Sequence, residues 1–353
     1  MRREAGVVVV GAGVMGLAAA RTLALSGIAV VVIEQFALGH VRGSSHGSVR
    51  IFKLSYPDDE FVRMAQCALQ RWRDLEDECG DQILFLTGSL DVGDVSRRCR
   101  ALNAYGVKFD LLSGSEIRRR FGIRVDDRAT AVLQTEGGVI RADRAQQALL
   151  AASRARNVEF AEGTQVQRVS VSGQRMRVET SAREEIFAEA VIVTAGAWIQ
   201  RLAEPIGIRL NVLPTRETVA YFRVPGIDAT PTLSDWTPQS IGRVTYGLSA
   251  MDGTLKIGVH RGGPVTDPDE IGCVDEDTIR WEAEWAARHY DLCSPTPVAS
   301  ETCLYTNTPD ERFIIERHGR LVIGSACSGH GFKFAPVIGE RLAALALEVA
   351  VPR

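Results

Sequence analysis

The sequence has no Cys-x-x-Cys pair, and its seven cysteines are odd in number. A disulfide framework uses an even set and a structural zinc site usually uses closely paired cysteines, so neither is expected. We therefore predict a reducing, cytoplasmic location and no metal site. The cysteines are Cys67, Cys79, Cys99, Cys273, Cys293, Cys303 and Cys327.

Long apolar runs and an excess of one charge are also absent. No apolar stretch reaches the roughly 18 to 20 residues that span a bilayer, so no membrane partner is expected. The 41 Lys and Arg residues nearly balance 44 Asp and Glu residues and are scattered, which argues against a nucleic acid partner. With 353 residues, 45% of them hydrophobic, the chain is long enough for two folded domains.

The N-terminal segment can be interpreted as a secretory signal or as the start of the fold. Arg2 and Arg3 precede an apolar run that extends to Ala20. A signal needs only apolar character, whereas this run contains regularly spaced glycines and leads into a second strand-like run at 29–33. The four valines at 7–10 are typical of a buried parallel strand, and 14–25 has helical spacing. We therefore favour a folded strand–helix–strand unit over export.

The glycines of this unit have the spacing of a dinucleotide-binding turn. Gly11 permits the tight turn, Gly13 lets backbone N–H groups approach a pyrophosphate, and Gly16 permits close packing of helix on strand. Glu34 ends the second strand, where it can accept a hydrogen bond from a ribose hydroxyl. A free carboxylate disfavours NADP, but the motif leaves NAD and FAD open, and a glycine-rich turn without ligand is the alternative.

The rest of the chain alternates between helical and strand patterns before and after a β-rich middle. Short β-rich runs separated by Pro and Gly at 219–259 predict a different domain. Helices are predicted to begin near Pro57, Asp143 and Pro336, and strands to cover 158–160, 166–171, 190–194 and 320–323.

Three further sequence blocks distinguish between the two candidate dinucleotides, NAD and FAD. Residues 43–51 read Gly-Ser-Ser-His-Gly-Ser-Val-Arg-Ile, 303–306 read Cys-Leu-Tyr-Thr, and 328–334 read Ser-Gly-His-Gly-Phe-Lys-Phe. Together they resemble the monomeric sarcosine oxidase family of flavoenzymes, within the D-amino acid oxidase-like superfamily. The resemblance covers essentially the whole chain.

The resemblance implies an α/β fold, α+β overall. A Rossmann-type FAD-binding domain would be interleaved with a substrate domain built on a mixed or antiparallel β-sheet. The FAD-binding domain would take residues 1–86, 140–215 and 300–353, and the substrate domain residues 87–139 and 216–299.

The resemblance also implies FAD as the cofactor, joined covalently through a cysteine sulfur, and Cys303 is the matching cysteine. From local sequence alone, Cys303 would be interpreted as a buried structural thiol. Further positions that the resemblance places at the cofactor are Ser44, His46, Arg50, Val166, Gly196, Gly329, Gly331 and Lys333.

The active-site residues are likewise implied by the resemblance. Lys256 matches a cation that promotes O2 reduction, because negative charge develops during that step. Without the family pattern, Lys256 would be interpreted as a solvated residue on a strand edge and His260 as an undistinguished histidine. Lys333 matches a cation that holds the substrate carboxylate. The full predicted set is Arg50, Lys53, Tyr246, Lys256, His260, Tyr305 and Lys333.

One position departs from the family pattern. The family usually has a second arginine three residues after Arg50, and this chain has Lys53. A lysine keeps the charge but not the planar, two-pronged hydrogen bond, so carboxylate binding is expected to be looser or differently oriented. A larger cyclic imino acid or a secondary-metabolite amine then fits as well as sarcosine.

The implied activity is oxidation of a secondary, N-alkyl or cyclic, amino acid. Hydride passes to the flavin, the resulting imine is hydrolysed by water, and O2 is reduced to H2O2. Alternatives are a flavin-dependent dehydrogenase, a tailoring oxidase for another amine, an NAD-dependent dehydrogenase, or a non-catalytic nucleotide-binding subunit. The expected partners are a small amino acid or amine and O2, and a monomer is favoured.

Overall fold

The computed structural model describes residues 2–237 and 242–350, which form eight α-helices, two large sheets and one small sheet. The helices are α1 (Val14–Leu25), α2 (Asp59–Cys79), α3 (Ser96–Ala104), α4 (Gly114–Phe121), α5 (Ala142–Arg154), α6 (Ile199–Ala203), α7 (Glu276–His289) and α8 (Ala335–Ala350). The strands are β1 (Arg2–Val10), β2 (Val30–Ile33), β3 (Val49–Phe52), β4 (Leu84–Phe85), β5 (Ser89–Gly93), β6 (Asp110–Ser113), β7 (Thr130–Gln134), β8 (Gly138–Arg141), β9 (Glu159–Ala161), β10 (Val166–Ser172), β11 (Arg175–Thr180), β12 (Glu185–Val193), β13 (Leu213–Arg223), β14 (Thr232–Trp236), β15 (Thr245–Ser249), β16 (Thr254–Val259), β17 (Ala299–Asn307), β18 (Ile314–His318) and β19 (Leu321–Ser325).

The first large sheet contains the predicted strand–helix–strand unit. Its parallel strands lie in the order β9-β2-β1-β12-β19, and β10, β11 and β18 add antiparallel pairings. Helices α1, α5 and α8 bury their apolar faces in one core with β1 and β12, where Val7 and Val9 are fully buried. Parallel strands covered by helices are typical of a Rossmann-type domain, which confirms the predicted fold class.

The second large sheet is mixed. Its order is β17-β13-β16-β15-β14-β5-β7-β6, and all neighbours are antiparallel except β14 and β5. Helix α7 packs against it through the buried Trp285 and Ala286. This agrees with the mixed or antiparallel sheet predicted for the substrate domain. The small sheet has the order β3-β8-β4.

Strand β17 carries Cys303 and belongs to the second sheet. It pairs with β13 from Leu213 opposite Asn307 to Tyr221 opposite Ala299. The predicted range 300–353 assigned this segment to the FAD-binding domain, so the strand extends the second sheet across that proposed boundary. The division into domains otherwise stays a prediction. Residues 1, 238–241 and 351–353, which the predicted domain ranges include, lie outside the described residues.

Helix α2 positions a loop of the site. Asp58 accepts a hydrogen bond from the Glu60 N–H at its start, and Gly80 ends it in the left-handed conformation. Its fully buried Trp72 donates from Nε1 to the backbone oxygen of Lys333 at 2.8 Å. The buried face of α2 therefore fixes the backbone around one of the predicted site residues. Within 2–237 and 242–350, no helix has both the length and the apolar character needed to cross a bilayer.

Candidate active site

A cavity of about 870 Å³ is lined by residues from both large sheets. Every predicted site residue lines it except Gly16, whose predicted role is helix packing. The lining members of the predicted set are Gly11, Gly13, Glu34, Ser44, His46, Arg50, Lys53, Val166, Gly196, Tyr246, Lys256, His260, Cys303, Tyr305, Gly329, Gly331 and Lys333.

Glu34 lies in the cavity wall beside the glycine turn. Its carboxylate accepts hydrogen bonds from the backbone N–H groups of Ala12, at 2.8 Å, and Phe36, at 3.0 Å. Burial alone would raise the pKa of Glu34, but the interaction with His40 and these backbone donors outweigh it and lower the pKa. The carboxylate is therefore ionised and suited to accept from a ribose hydroxyl.

The glycine turn leaves no room for a side chain at Gly11 or Gly16. Gly11 has a φ of +101°, and a Cβ on Gly16 would lie 1.9 Å from the Gly11 oxygen. Ser45 supplies an acceptor for one of the free backbone N–H groups at the N-terminus of α1: its Oγ accepts from the Val14 N–H at 3.1 Å. Ser45 was not among the predicted residues, although it lies in the block at 43–51 that carries the family resemblance.

Arg50 organises the loop at 43–48. Its guanidinium donates to the backbone oxygens of Val49 and Ser44, each at 2.8 Å, and of His46, at 2.5 Å. The Ser44 hydroxyl donates to the Leu304 oxygen, which joins this loop to β17. Arg50 thus brings a fixed positive charge to the cavity while holding the loop against the second sheet.

Several buried polar atoms of the cavity wall have no hydrogen-bond partner among the described residues. These are both ring nitrogens of His46, the Nε of Arg98 and the hydroxyl oxygens of Ser55, Thr306 and Ser325. Burial, and secondly the charge of Arg50, lowers the pKa of His46 to about 4, so its ring is neutral. Buried polar groups are normally paired, so this pattern fits a wall that binds a ligand with polar edges, as FAD has.

Cys303 and Tyr305 point into the cavity from β17. Burial raises the pKa of the Cys303 thiol to about 11, while Arg50 and Lys256 act in the opposite direction. A Cβ on Gly329, which has a φ of +73°, would lie 2.3 Å from Cε2 of Tyr305. The glycine-rich loop before α8 therefore lies directly against the Tyr305 ring.

Lys256 lies on β16, between β13 and β15, and is only 5% exposed. The interpretation of Lys256 as a solvated edge residue is therefore wrong, because β16 has a neighbour on each side. Its Nζ lies 3.2 Å from Oε1 of Glu301, which also accepts from the Tyr221 hydroxyl. Burial, then the charge of Arg50, lowers the pKa of Lys256 to about 8, and Glu301 opposes this shift.

His260 and Tyr246 complete this side of the cavity. His260 Nε2 lies 3.3 Å from Oε2 of Glu311, and its ring centroid lies 6.4 Å from that of Tyr305. Burial raises the pKa of Tyr246, so its phenol is protonated.

Lys333 and Lys53 both lie over the ring of Tyr56, at 5.6 and 5.8 Å from its centroid. Lys333 Nζ donates to the His330 oxygen at 2.9 Å, and burial, followed by the charge of Lys53, lowers its pKa to about 7. Lys53 Nζ already pairs with Asp91 Oδ1 at 2.5 Å. The charge of Lys53 is thus compensated within the protein, whereas Lys333 has no carboxylate partner in the described part of the chain.

The side chains that the sequence did not single out are Ser45, Asp91, Arg98 and Glu301, each of which contacts a predicted residue or lines the cavity. The described residues include no group of three or more His, Cys, Asp or Glu side chains that could hold a metal ion.

Comparison with known proteins agrees with this arrangement. A model of the FAD dependent oxidoreductase family matches residues 6–345. The peroxisomal sarcosine oxidase of Homo sapiens is 34% identical over 97% of this chain and 92% of its own length. The monomeric sarcosine oxidase of Bacillus sp. (strain B-0618) is 31% identical, over 97% of this chain and 92% of its own.

Solved structures show the same fold. NikD, an unusual amino acid oxidase essential for nikkomycin biosynthesis, matches with a TM-score of 0.87 and 26% identity, covering 98% of this chain and 94% of that protein. The chain therefore belongs to the family of FAD dependent oxidoreductases that includes the sarcosine oxidases.

Proposed function

We propose that this protein oxidises a secondary amino acid and passes the electrons to O2, with FAD joined covalently to Cys303. The observation that carries the proposal is one cavity lined by the glycine turn, the Cys303 thiol and the buried lysines Lys256 and Lys333. The sarcosine oxidases among the relatives support an N-alkyl amino acid as substrate.

FAD supplies the chemistry when bound: it accepts a hydride from the carbon next to the amine nitrogen and returns two electrons and protons to O2 as H2O2. The chain positions the substrate. Lys333 is buried without a carboxylate partner in the described part of the chain, so its ammonium is available to a substrate carboxylate. Tyr246 and Tyr305 line the space beside it. Catalysis then depends on holding the neutral amine close to the reacting centre.

Lys256 would assist the reaction with O2. Its Nζ is buried in the cavity wall and is held by Glu301 at 3.2 Å. A fixed cation in a site shielded from water stabilises the negative charge that develops when O2 accepts its first electron. The substrate and the oxygen reactions therefore use different lysines of one cavity.

Purified yellow protein should consume O2 and release equimolar H2O2 with N-methyl or cyclic amino acids, and less so with the matching primary amino acids. Lys333→Met should weaken amino acid binding, and Lys256→Met should slow only the O2 reaction. Flavin-loaded protein that releases no peroxide with any secondary amino acid would contradict the proposal. Reduction of an electron-accepting dye without use of O2 would indicate a dehydrogenase instead.

A cytoplasmic location and a monomeric state also remain proposals. The seven cysteines are all free in the structure, which supports a reducing compartment. Gel filtration with light scattering of the holoenzyme tests the monomer directly.

A further inference from the structure

A buried cluster of charges lies at the Lys53 side of the cavity. Asp91 is fully buried on β5, and its Oδ1 accepts hydrogen bonds from Lys53 Nζ, at 2.5 Å, and from Trp236 Nε1, at 2.8 Å. Arg98, on α3, lies against the same oxygen with its Nε at 3.6 Å, too far for a hydrogen bond. One carboxylate therefore faces two cations, and its near oxygen is already used by two other donors.

The side chain of Arg98 has no hydrogen bond to any residue in the described ranges, although the residue is only 8% exposed and its Nε is buried. Its guanidinium instead lies over the ring of Trp236, with Cζ 4.4 Å from the ring centroid. A guanidinium has five N–H donors, and a buried one without an acceptor is costly. Arg98 lines the cavity, so the missing acceptor has to come from the cavity itself.

Arg98 and Lys333, the proposed carboxylate-binding residue, lie over different aromatic rings. Lys333 and Lys53 share the Tyr56 ring, whereas Arg98 shares the Trp236 ring with Lys53, whose Nζ lies 5.3 Å from that centroid. Asp91 balances the charge of Lys53. Lys333 can be balanced by the α-carboxylate of the substrate, and Arg98 is then the cation that has to share its carboxylate neighbour, Asp91, with Lys53.

We propose that Arg98 and Trp236 form a second anion subsite of the substrate cavity, and that the substrate is a secondary amino acid with an additional carboxylate. The planar fork of Arg98 suits a carboxylate, which can accept two parallel hydrogen bonds from it. Trp236 keeps the guanidinium plane in place, and its own N–H is held by Asp91. This inference deepens the proposed function and rests on it for the identity of the reaction.

Two racemic substrates of nearly equal size test the subsite: N-methylglutamate, which has the additional carboxylate, and N-methylglutamine, in which an amide replaces it. The ratio of their kcat/KM values should favour the acid in the wild-type holoenzyme. In Arg98→Gln this ratio should fall by roughly ten- to a hundredfold, the range expected for a charge-assisted hydrogen bond. Arg98→Lys, which keeps the charge, should retain part of the preference.

The matched control is Arg100→Gln, because Arg100 lies on the same helix but is exposed and does not line the cavity. It should keep the wild-type ratio. An equal loss for both substrates in Arg98→Gln would overturn the proposal, because it would place Arg98 at the shared α-carboxylate. So would a wild-type preference for the amide.

Binding of unreactive ligands keeps this inference distinct from the proposed reaction. Calorimetric titration of the holoenzyme should give tighter binding of glutarate than of its half-amide, and Arg98→Gln should abolish that difference. If the wild type oxidises no secondary amino acid, the proposed reaction fails, but this titration still tests the subsite. Equal binding of glutarate and its half-amide by the wild type would overturn the subsite.

Discussion

Glu301 lies beside Lys256, and replacing it with Gln tests whether the charge of Lys256 controls the reaction with O2. The Glu301 side chain accepts from Lys256 Nζ at 3.2 Å and is 31% exposed, so solvent partly screens the pair. Coulomb's law at this separation gives about 1 kcal/mol with the dielectric constant of water and about 5 kcal/mol at an effective value of ~20. The partial exposure of Glu301 places the pair in the lower part of this range, at about 1 to 3 kcal/mol. This corresponds to roughly one to two pKa units.

The sign of the effect follows from the ammonium group. Lys256 is protonated below its pKa of about 8 and neutral above it. The wild-type rate of flavin reoxidation by O2 should therefore fall as the pH rises through about 8. Without the Glu301 carboxylate the pKa of Lys256 decreases to roughly 6 to 7, so the same fall should occur at lower pH. At about pH 7.5 the variant should react roughly three- to twentyfold more slowly.

The assay is stopped-flow mixing of anaerobically photoreduced holoenzyme with O2 across the pH range, so no amino acid substrate is needed. Lys256→Met should be slow at every pH and should lose this titration. Glu316→Gln is the matched control, because Glu316 is exposed on β18 and does not line the cavity. Identical pH profiles of the reoxidation rate for wild type and Glu301→Gln would refute the reasoning. A Lys256→Met variant whose rate still falls as the pH rises through about 8 would also refute it.

Three further changes test the cofactor turn, the buried ion pair and the carboxylate site. Gly16→Ala should yield protein without bound flavin, because its Cβ would lie 1.9 Å from the Gly11 oxygen; absorbance at flavin wavelengths measures this. Asp91→Asn should lower the free energy of unfolding by about 3 to 5 kcal/mol in urea titrations, because Lys53 is left buried without its counterion, and adding Lys53→Met should recover much of the loss. Lys333→Met should raise the KM for amino acid substrates by roughly ten- to a hundredfold, because a charge-assisted hydrogen bond is lost, and should leave reoxidation by O2 largely intact.

Each of these outcomes has a clear opposite. A Gly16→Ala protein with a full complement of flavin would show that the turn can move away from α1. If the double variant of Asp91 and Lys53 is no more stable than Asp91→Asn, the loss does not come from the unpaired lysine. A Lys333→Met enzyme whose KM is unchanged would remove Lys333 from carboxylate binding.

The part of the cavity wall formed by the glycine turn and Glu34 could be predicted to lie together because its signals are local. The turn from Gly11 to Gly16 and the following acid lie within one short segment, and α1 has the bounds that its spacing predicts. The motif around Cys303 marks the segment that forms β17, but the sequence does not predict a strand there, because its polar and apolar residues do not alternate clearly. Only its pairing with β13 reveals the second sheet to which it belongs.

The ion pairs around Asp91 could not be predicted, because they join segments that are distant in the sequence. Lys53 directly follows β3, whereas Asp91 lies on β5, and nothing near either residue in the sequence indicates that the two pair. Arg98 lies in the arginine-rich start of α3, which is typical of a solvated helix face. Its burial follows from packing against Trp236, a contact that only the assembled second sheet creates.

The covalent attachment of FAD to Cys303 is the central claim, and acid denaturation tests it most directly. The yellow holoenzyme is precipitated with acid, and the flavin absorbance of pellet and supernatant is compared, followed by mapping of the flavin-bearing peptide. We predict that the flavin stays with the wild-type pellet on the Cys303 peptide and moves to the supernatant in Cys303→Ser. Flavin released from the wild type, or attached to any other residue, would contradict the account.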